Sequence, residues 1–186
     1  MLTIVIPAVE RFNEATEMFE YGEETTLHLE HSLVSIAKWE AKWNVPFLSK
    51  QEKTTEQVLH YIECMTLDED VNREIYSNIT NENVMAVSEY IDAPMTATTF
   101  NDTNKKPPSR EIVTSEIIYY WMIGQNIPME CQYWHLNRLM TLIRVCDIKN
   151  NPPKKMSKSE LAQRNRALNE ARKKKLNTKG WYEWKV

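Results

Sequence analysis

Three glycines in 186 residues leave this chain few positions at which its backbone can reverse freely. Turn-rich β architectures and glycine-lined phosphate loops both require more, so helices joined by polar loops are the expected framework. The hydrophobic share of 42 % suffices for one sizeable core, and the length suits a single domain with a terminal appendage. No apolar run approaches the about 20 residues of a membrane-spanning helix, and the opening Met1-Leu2-Thr3-Ile4-Val5-Ile6 lacks the basic leader of a signal peptide. A cytoplasmic protein without a membrane partner is expected. Cys64, Cys131 and Cys146 are odd in number and far apart, which points to free thiols rather than a disulfide framework.

The formal charge of −3 conceals two opposed parts. Residues 149–186 carry twelve Lys/Arg against three Glu, whereas residues 1–148 carry eleven Lys/Arg against twenty-three Asp/Glu, a net of −12. An acidic body followed by a basic tail can seek nucleic acid, an acidic protein surface or the body of its own molecule.

Hydrophobic periodicity divides the chain. Leu2–Pro7 and Thr25–His31 alternate in the manner of strands, with Glu20–Glu23 as the turn region between them. From Ser32 the period becomes helical through Leu33, Ile36, Ala37, Glu40 and Trp43, and Pro46 ends the run. Thr54 and Gln57 form a capping-box pattern before Val58, Tyr61, Ile62 and Met65. Shorter helices are predicted near Asp70–Ile79 and Asn81–Ile91. The stretch 93–110, with its threonines, Asn101-Asp102-Thr103-Asn104 and Lys105-Lys106-Pro107-Pro108, has the composition of a mobile loop. Two long apolar helices, Ser109–Gln125 and Pro128–Ile148, are expected to form the heart of the core. After Pro152-Pro153, a capping-box pattern at Ser157 and Glu160 opens a polar helix through about Leu176 with only a narrow seam at Leu161 and Leu168.

Several motifs bear on chemistry. His60-x-x-x-Cys64 and Cys131-x-x-x-His135 each place two possible zinc ligands one helical turn apart, but buried cysteines and locally bonded histidines explain such spacings more often, so no metal and no cofactor is assigned. Nothing resembles a nucleophile elbow or a local cysteine-protease signature. Glu10, Glu14, Glu17, Glu20, Glu23 and Glu24 read as a solvated acidic face, and a non-enzymatic protein is expected. The basic run Arg172-Lys173-Lys174-Lys175, with Arg164 and Arg166 upstream and Trp181, Tyr182 and Trp184 downstream, mixes charge and aromatics as single-strand binders do, yet the acidic body opposes a polyanion. Tyr119, Tyr120, Trp121, Tyr133 and Trp134 would ordinarily be core. Because Tyr119–Met122 spans every face of one helical turn, part of this aromatic group must face outward.

The strings Leu29-Glu30-His31-Ser32-Leu33-Val34-Ser35-Ile36-Ala37-Lys38-Trp39-Glu40, Asp92-Ala93-Pro94-Met95-Thr96-Ala97-Thr98, Ser115-Glu116-Ile117-Ile118-Tyr119-Tyr120-Trp121-Met122-Ile123, Trp134-His135-Leu136-Asn137-Arg138-Leu139, Asn150-Asn151-Pro152-Pro153-Lys154-Lys155-Met156 and Arg164-Asn165-Arg166-Ala167-Leu168-Asn169 resemble a family of bacteriophage tail assembly chaperones, and they span almost the whole chain. The resemblance implies a gene near that of the tape-measure protein of a long-tailed phage. It further implies a protein that binds the tape measure, and through it tail-tube subunits, in the host cytoplasm and is absent from the mature virion. On that reading, Trp39, Trp43, Tyr119, Tyr120, Trp121, Tyr133 and Trp134 would receive amphipathic helices, and Arg172, Lys173, Lys174 and Lys175 would engage acidic stretches of the client. A structural virion protein of the tail or head-tail connection, and a small nucleic-acid-binding phage protein, are the alternatives; a homo-oligomer is also compatible.

The expected fold is mainly α. A small N-terminal β hairpin occupies residues 1–31, a compact domain of about five to seven helices residues 32–150 with the loop near 93–110, and a basic helix and tail residues 151–186.

Overall fold

The computed structural model describes residues 1–8, 10–13, 17–100, 111–151 and 158–176. In chain order its elements are β1 (Leu2–Ile6), β2 (Glu10–Asn13), β3 (Met18–Tyr21), β4 (Thr25–Leu29), α1 (Leu33–Trp43), α2 (Thr55–Met65), a 3-10 segment (Arg73–Asn78), α3 (Asn81–Asp92), α4 (Ser115–Gly124), a second 3-10 segment (Met129–Tyr133), α5 (Leu136–Asn150) and α6 (Lys158–Leu176). The protein is mainly α with an N-terminal hairpin. It divides into two compact units, Met1–Asp147 and Ile148–Val186.

The hairpin is longer than its sequence pattern suggests. β1 pairs antiparallel with β4 and β2 with β3, and both ladders share one register: stepping four residues onward from Ile6↔Thr25 gives Glu10↔Tyr21. Pro7, which has no amide to donate, falls in the gap between the ladders. The chain therefore reverses between Asn13 and Met18, not at Glu20–Glu23, and Met18–Tyr21 is strand. On the inner ribbon, Ile4 and Leu27 are cross-strand partners and both are buried, as are Ile6 and Leu29, while Val5 points outward.

Helix boundaries follow local capping where capping residues exist. Ser32 accepts the Ser35 amide at the start of α1, and Asn44 ends it in the left-handed conformation, φ 54°. Thr54 and Gln57 form the expected reciprocal capping box on α2, and Thr80 with Asn83 makes another on α3. Where tertiary contacts dominate, the sequence expectation fails. The predicted helix Asp70–Ile79 is a 3-10 segment whose one buried residue, Tyr76, donates to Thr66 Oγ1 at 2.8 Å. The helix predicted from Ser109 begins at Ser115, because the Ser115 amide donates to Glu40 of α1 at 2.8 Å and fixes the helix start there. The continuous helix predicted over Pro128–Ile148 is broken at 134–135: His135 forms an antiparallel bridge with Ser32, and the Leu136 amide donates to the His31 carbonyl at 2.7 Å.

The core lies between the inner ribbon and α1–α5. Leu27, Leu29, Leu33, Ile36, Trp39, Ile62, Met65, Ile118, Met122 and Leu139 are among its fully buried side chains. α1 packs on α2 and α4, and α3 covers β1. β4 continues outward through segment 65–67: Glu30 donates to Met65, and Leu67 donates to His28. Among the described residues no helix is long and apolar enough to cross a membrane.

Candidate functional site

Two elements that do not touch in sequence are brought together by amide chemistry on the first turn of α5. Asn137 Nδ2 donates to the carbonyls of Ile91 and Ala93 at 2.9 and 2.8 Å, satisfying acceptors left over at the C-terminal end of α3. His135 completes the clamp. Its Nδ1 accepts the Asn137 amide at 3.2 Å, which places its proton on Nε2 for donation to the Tyr90 carbonyl at 3.0 Å. The chain leaving α3 is thereby directed along α5. It passes through Met95 in the left-handed conformation, φ 48°, and ends against α5 with Phe100 under the Arg144 guanidinium, 4.0 Å from the ring centroid.

The space between this 94–100 strap, α4 and α5 is a groove of about 1100 Å³. Its walls include Pro94, Thr96, Thr98 and Phe100 of the strap, Tyr120, Trp121, Gly124 and Gln125 of α4 and its cap, and Asn137, Met140, Ile143 and Arg144 of α5. Tyr120 stands 72 % exposed on the rim, with Ile123 beyond it at 66 %. Residues 101–110 of the loop expected near 93–110 lie outside the described residues.

The aromatic residues singled out from sequence take different positions. Met122 is buried, Tyr120 is exposed, and Tyr119 and Trp121 are half-buried, so one helical turn does present both inward and outward faces. Tyr120 and Trp121 line the groove. Tyr119 instead donates to Gln132 Oε1 at 2.8 Å; burial and then nearby Tyr133 raise its pKa. Tyr133 is exposed, and Trp134 stacks under Arg138 at 4.1 Å.

Trp39 requires a correction. It is 1 % exposed, its indole donates to the Gln57 carbonyl at 2.9 Å, and Phe47 meets it edge-on, so it is a core residue unable to receive a partner helix. Trp43 is half-buried, donates to His60 Nδ1 at 3.2 Å and has Lys42 beside its ring. Arg172, Lys173, Lys174 and Lys175 are exposed on the last turns of α6, in the second unit. Trp181, Tyr182 and Trp184 lie outside the described residues, as does the Ser157 cap.

Of the two Cys/His spacings, the first forms a local contact and the second has its histidine engaged elsewhere. His60 and Cys64 approach at 3.7 Å on α2, with burial raising the thiol pKa to about 11. Cys131 belongs to the second 3-10 segment, and both ring nitrogens of His135 are engaged elsewhere. Among the described residues no three His, Cys, Asp or Glu side chains gather around a possible metal position.

Sequence reasoning pointed to the α4 aromatics but missed the strap, Asn137 and Gly124. An asparagine in the first turn of a helix, following a histidine, is a weak signal. Its meaning depends on which carbonyls arrive opposite it.

No family model, no curated protein and no solved structure matches this chain.

Proposed function

We propose that this protein is a non-enzymatic assembly chaperone of long-tailed bacteriophages, binding the tape-measure protein while tail-tube subunits assemble around it. The observation that carries this reading is a coincidence of site and sequence. The strings Asp92–Thr98, Ser115–Ile123 and Trp134–Leu139, on which the family resemblance rests, supply the strap, the aromatic wall and the clamp of the 1100 Å³ groove. An open trough with an exposed tyrosine and isoleucine on its rim suits an apolar helical stripe better than a small polar substrate. A task that ends in release calls for modest affinity, and differences in affinity between related complexes lie mostly in the rate of dissociation.

The test is co-expression with the product of the longest neighbouring phage gene, followed by pull-down and by mass spectrometry of purified virions. Binding to that product together with absence from finished particles is the expected result. Stoichiometric presence in the particle without such binding would make the protein a structural component of the tail or head-tail connection.

A further inference from the structure

His31 and His135 lie together in the interior, 2 % and 6 % exposed, with their ring centroids 5.0 Å apart in an edge-on arrangement. The backbones that carry them are joined at the same point: the Leu136 amide donates to the His31 carbonyl at 2.7 Å, and Ser32 bridges His135. Each ring uses Nδ1 as an acceptor. His135 acts as the cap of α5, since its carbonyl accepts the Leu139 amide at 3.1 Å and its Nδ1 accepts the Asn137 amide at 3.2 Å. His31 Nδ1 meets the Tyr61 hydroxyl. Burial, then Cys64 and Glu30, holds the pKa of that phenol well above its ordinary value, so it keeps its proton and donates it.

Neither acceptor tolerates a proton. On His135 Nδ1 it would set a donor against the Asn137 amide, which the helix holds in place, and would put a cation at the positive end of the α5 dipole. On His31 Nδ1 it would oppose the Tyr61 hydroxyl proton. The groups that the surrounding elements bring to the pair are neutral, already engaged or cationic. From α2 come Tyr61 and Cys64, and from α3 Tyr90, whose ring centroid is 4.9 Å from that of His135. Glu30, just after β4, is held by the Tyr90 hydroxyl and the Met1 ammonium, each at 2.8 Å, and Glu40 of α1 accepts two backbone amides. Phe47, with its ring centroid 6.3 Å from that of His31, brings a further cation, Lys53, 4.4 Å from the Phe47 ring.

We propose that His31 and His135 form an acid-operated latch, in which a proton on either ring parts the junction between residues 31–32 and 135–136 and releases the end of α3 from the first turn of α5. The release follows from what that turn holds: Asn137 Nδ2 binds the carbonyls of Ile91 and Ala93, and His135 Nε2 binds that of Tyr90. The opening is local. The side-chain caps of α1, α2 and α3 rest on Ser32, Thr54 and Thr80 and involve neither imidazole, while parting the junction lets water reach both rings. This device goes beyond the chaperone reading and does not depend on it.

The test is amide hydrogen exchange of the full chain between about pH 6.5 and 4.5, with each rate divided by that of an unprotected amide at the same pH. His31 takes its proton near the ordinary 6.5 once exposed and only at about 3 while buried, so by itself it should raise exchange at Leu136 and Asn137 about fiftyfold over that range. Ala93, whose amide donates to Tyr90, should follow them. At the acid end all three should be at least about tenfold less protected than Ile62 of α2 and depend more weakly on urea, the mark of an opening that exposes little surface. His135→Asn keeps a neutral capping acceptor, and combined with His31→Asn it should abolish the rise. Constant wild-type protection at Leu136 and Asn137 would overturn the latch. So would rates and urea dependence equal to those of Ile62, since the whole chain would then be unfolding. That wild-type comparison decides the matter even where the double variant fails to fold, and a rise that persists in a folded double variant would overturn the assignment to these two histidines.

Discussion

A carboxylate with 8 % of its surface exposed needs strong partners, and Glu40 has two backbone amides, Phe47 at 2.7 Å and Ser115 at 2.8 Å. It acts as a helix cap supplied from a different helix, since Thr114, at the N-cap of α4, makes no side-chain cap of its own. Glu40→Ala would leave both amides buried without acceptors and should cost about 2–4 kcal/mol in urea unfolding, with Glu40→Gln costing less. His31 poses the opposite problem. It is 2 % exposed, hydrogen-bonded to Tyr61 Oη and 5.0 Å from His135, and burial, then the neighbouring His135, lowers its pKa to about 3. An unfolded chain binds the proton near the ordinary 6.5. Between those values the unfolded state holds more protons, so the stability contributed by neutral His31 is present above 6.5 and declines as the pH falls, by up to about 1.4 kcal/mol per pH unit. The slope of unfolding free energy between about pH 6 and 4.5 should flatten in His31→Asn; an unchanged slope would assign it to other groups.

Several element starts were readable from sequence where a side chain two or three residues away sets them, although the Asn72 side chain, which accepts the Glu74 amide and sets the start of the first 3-10 segment, was not. Ser32 and the Thr54/Gln57 box place the starts of α1 and α2 correctly. Replacing Thr80 by Ala should cost about 1 kcal/mol by removing the α3 cap, measurable as a lower urea midpoint at unchanged slope. The remaining boundaries are set at a distance. The helix expected over Pro128–Ile148 breaks because its backbone is needed opposite Ser32, and the α4 start waits for Glu40. The second ladder of the hairpin was hidden because Glu10-Arg11-Phe12-Asn13 carries no apolar alternation. Its place follows instead from the register inherited from β1. The same contrast governs the groove: Tyr120 and Trp121 announced an outward face by being adjacent, whereas the strap is placed by two carbonyl contacts to Asn137 more than forty residues away.

Across the whole molecule the charge division follows the structural one, with acidic residues concentrated in the unit Met1–Asp147 and basic ones beyond it. If the basic helix contributes to client capture, Lys173→Glu, Lys174→Glu and Lys175→Glu together should weaken binding at low salt and reduce its salt dependence. Wild type and variant should converge near 1 M salt, where screening extends only about 3 Å. Equal affinity at every salt concentration would remove the helix from the binding reaction.

The bridge between Ser32 and His135 also has a consequence in time. It joins backbones more than a hundred residues apart, and the Leu136 amide seals the same junction. During synthesis the ribosome must deliver α5 before the hairpin and α1 can close over their shared core. Until then α1, which carries the buried Leu33 and Ile36, lacks the cover that α4 and the second 3-10 segment provide. The nascent chain thus passes through a long interval with its own apolar surfaces uncovered, and refolding from denaturant should be governed by this late, long-range closure rather than by the rapidly formed caps of α1, α2 and α3.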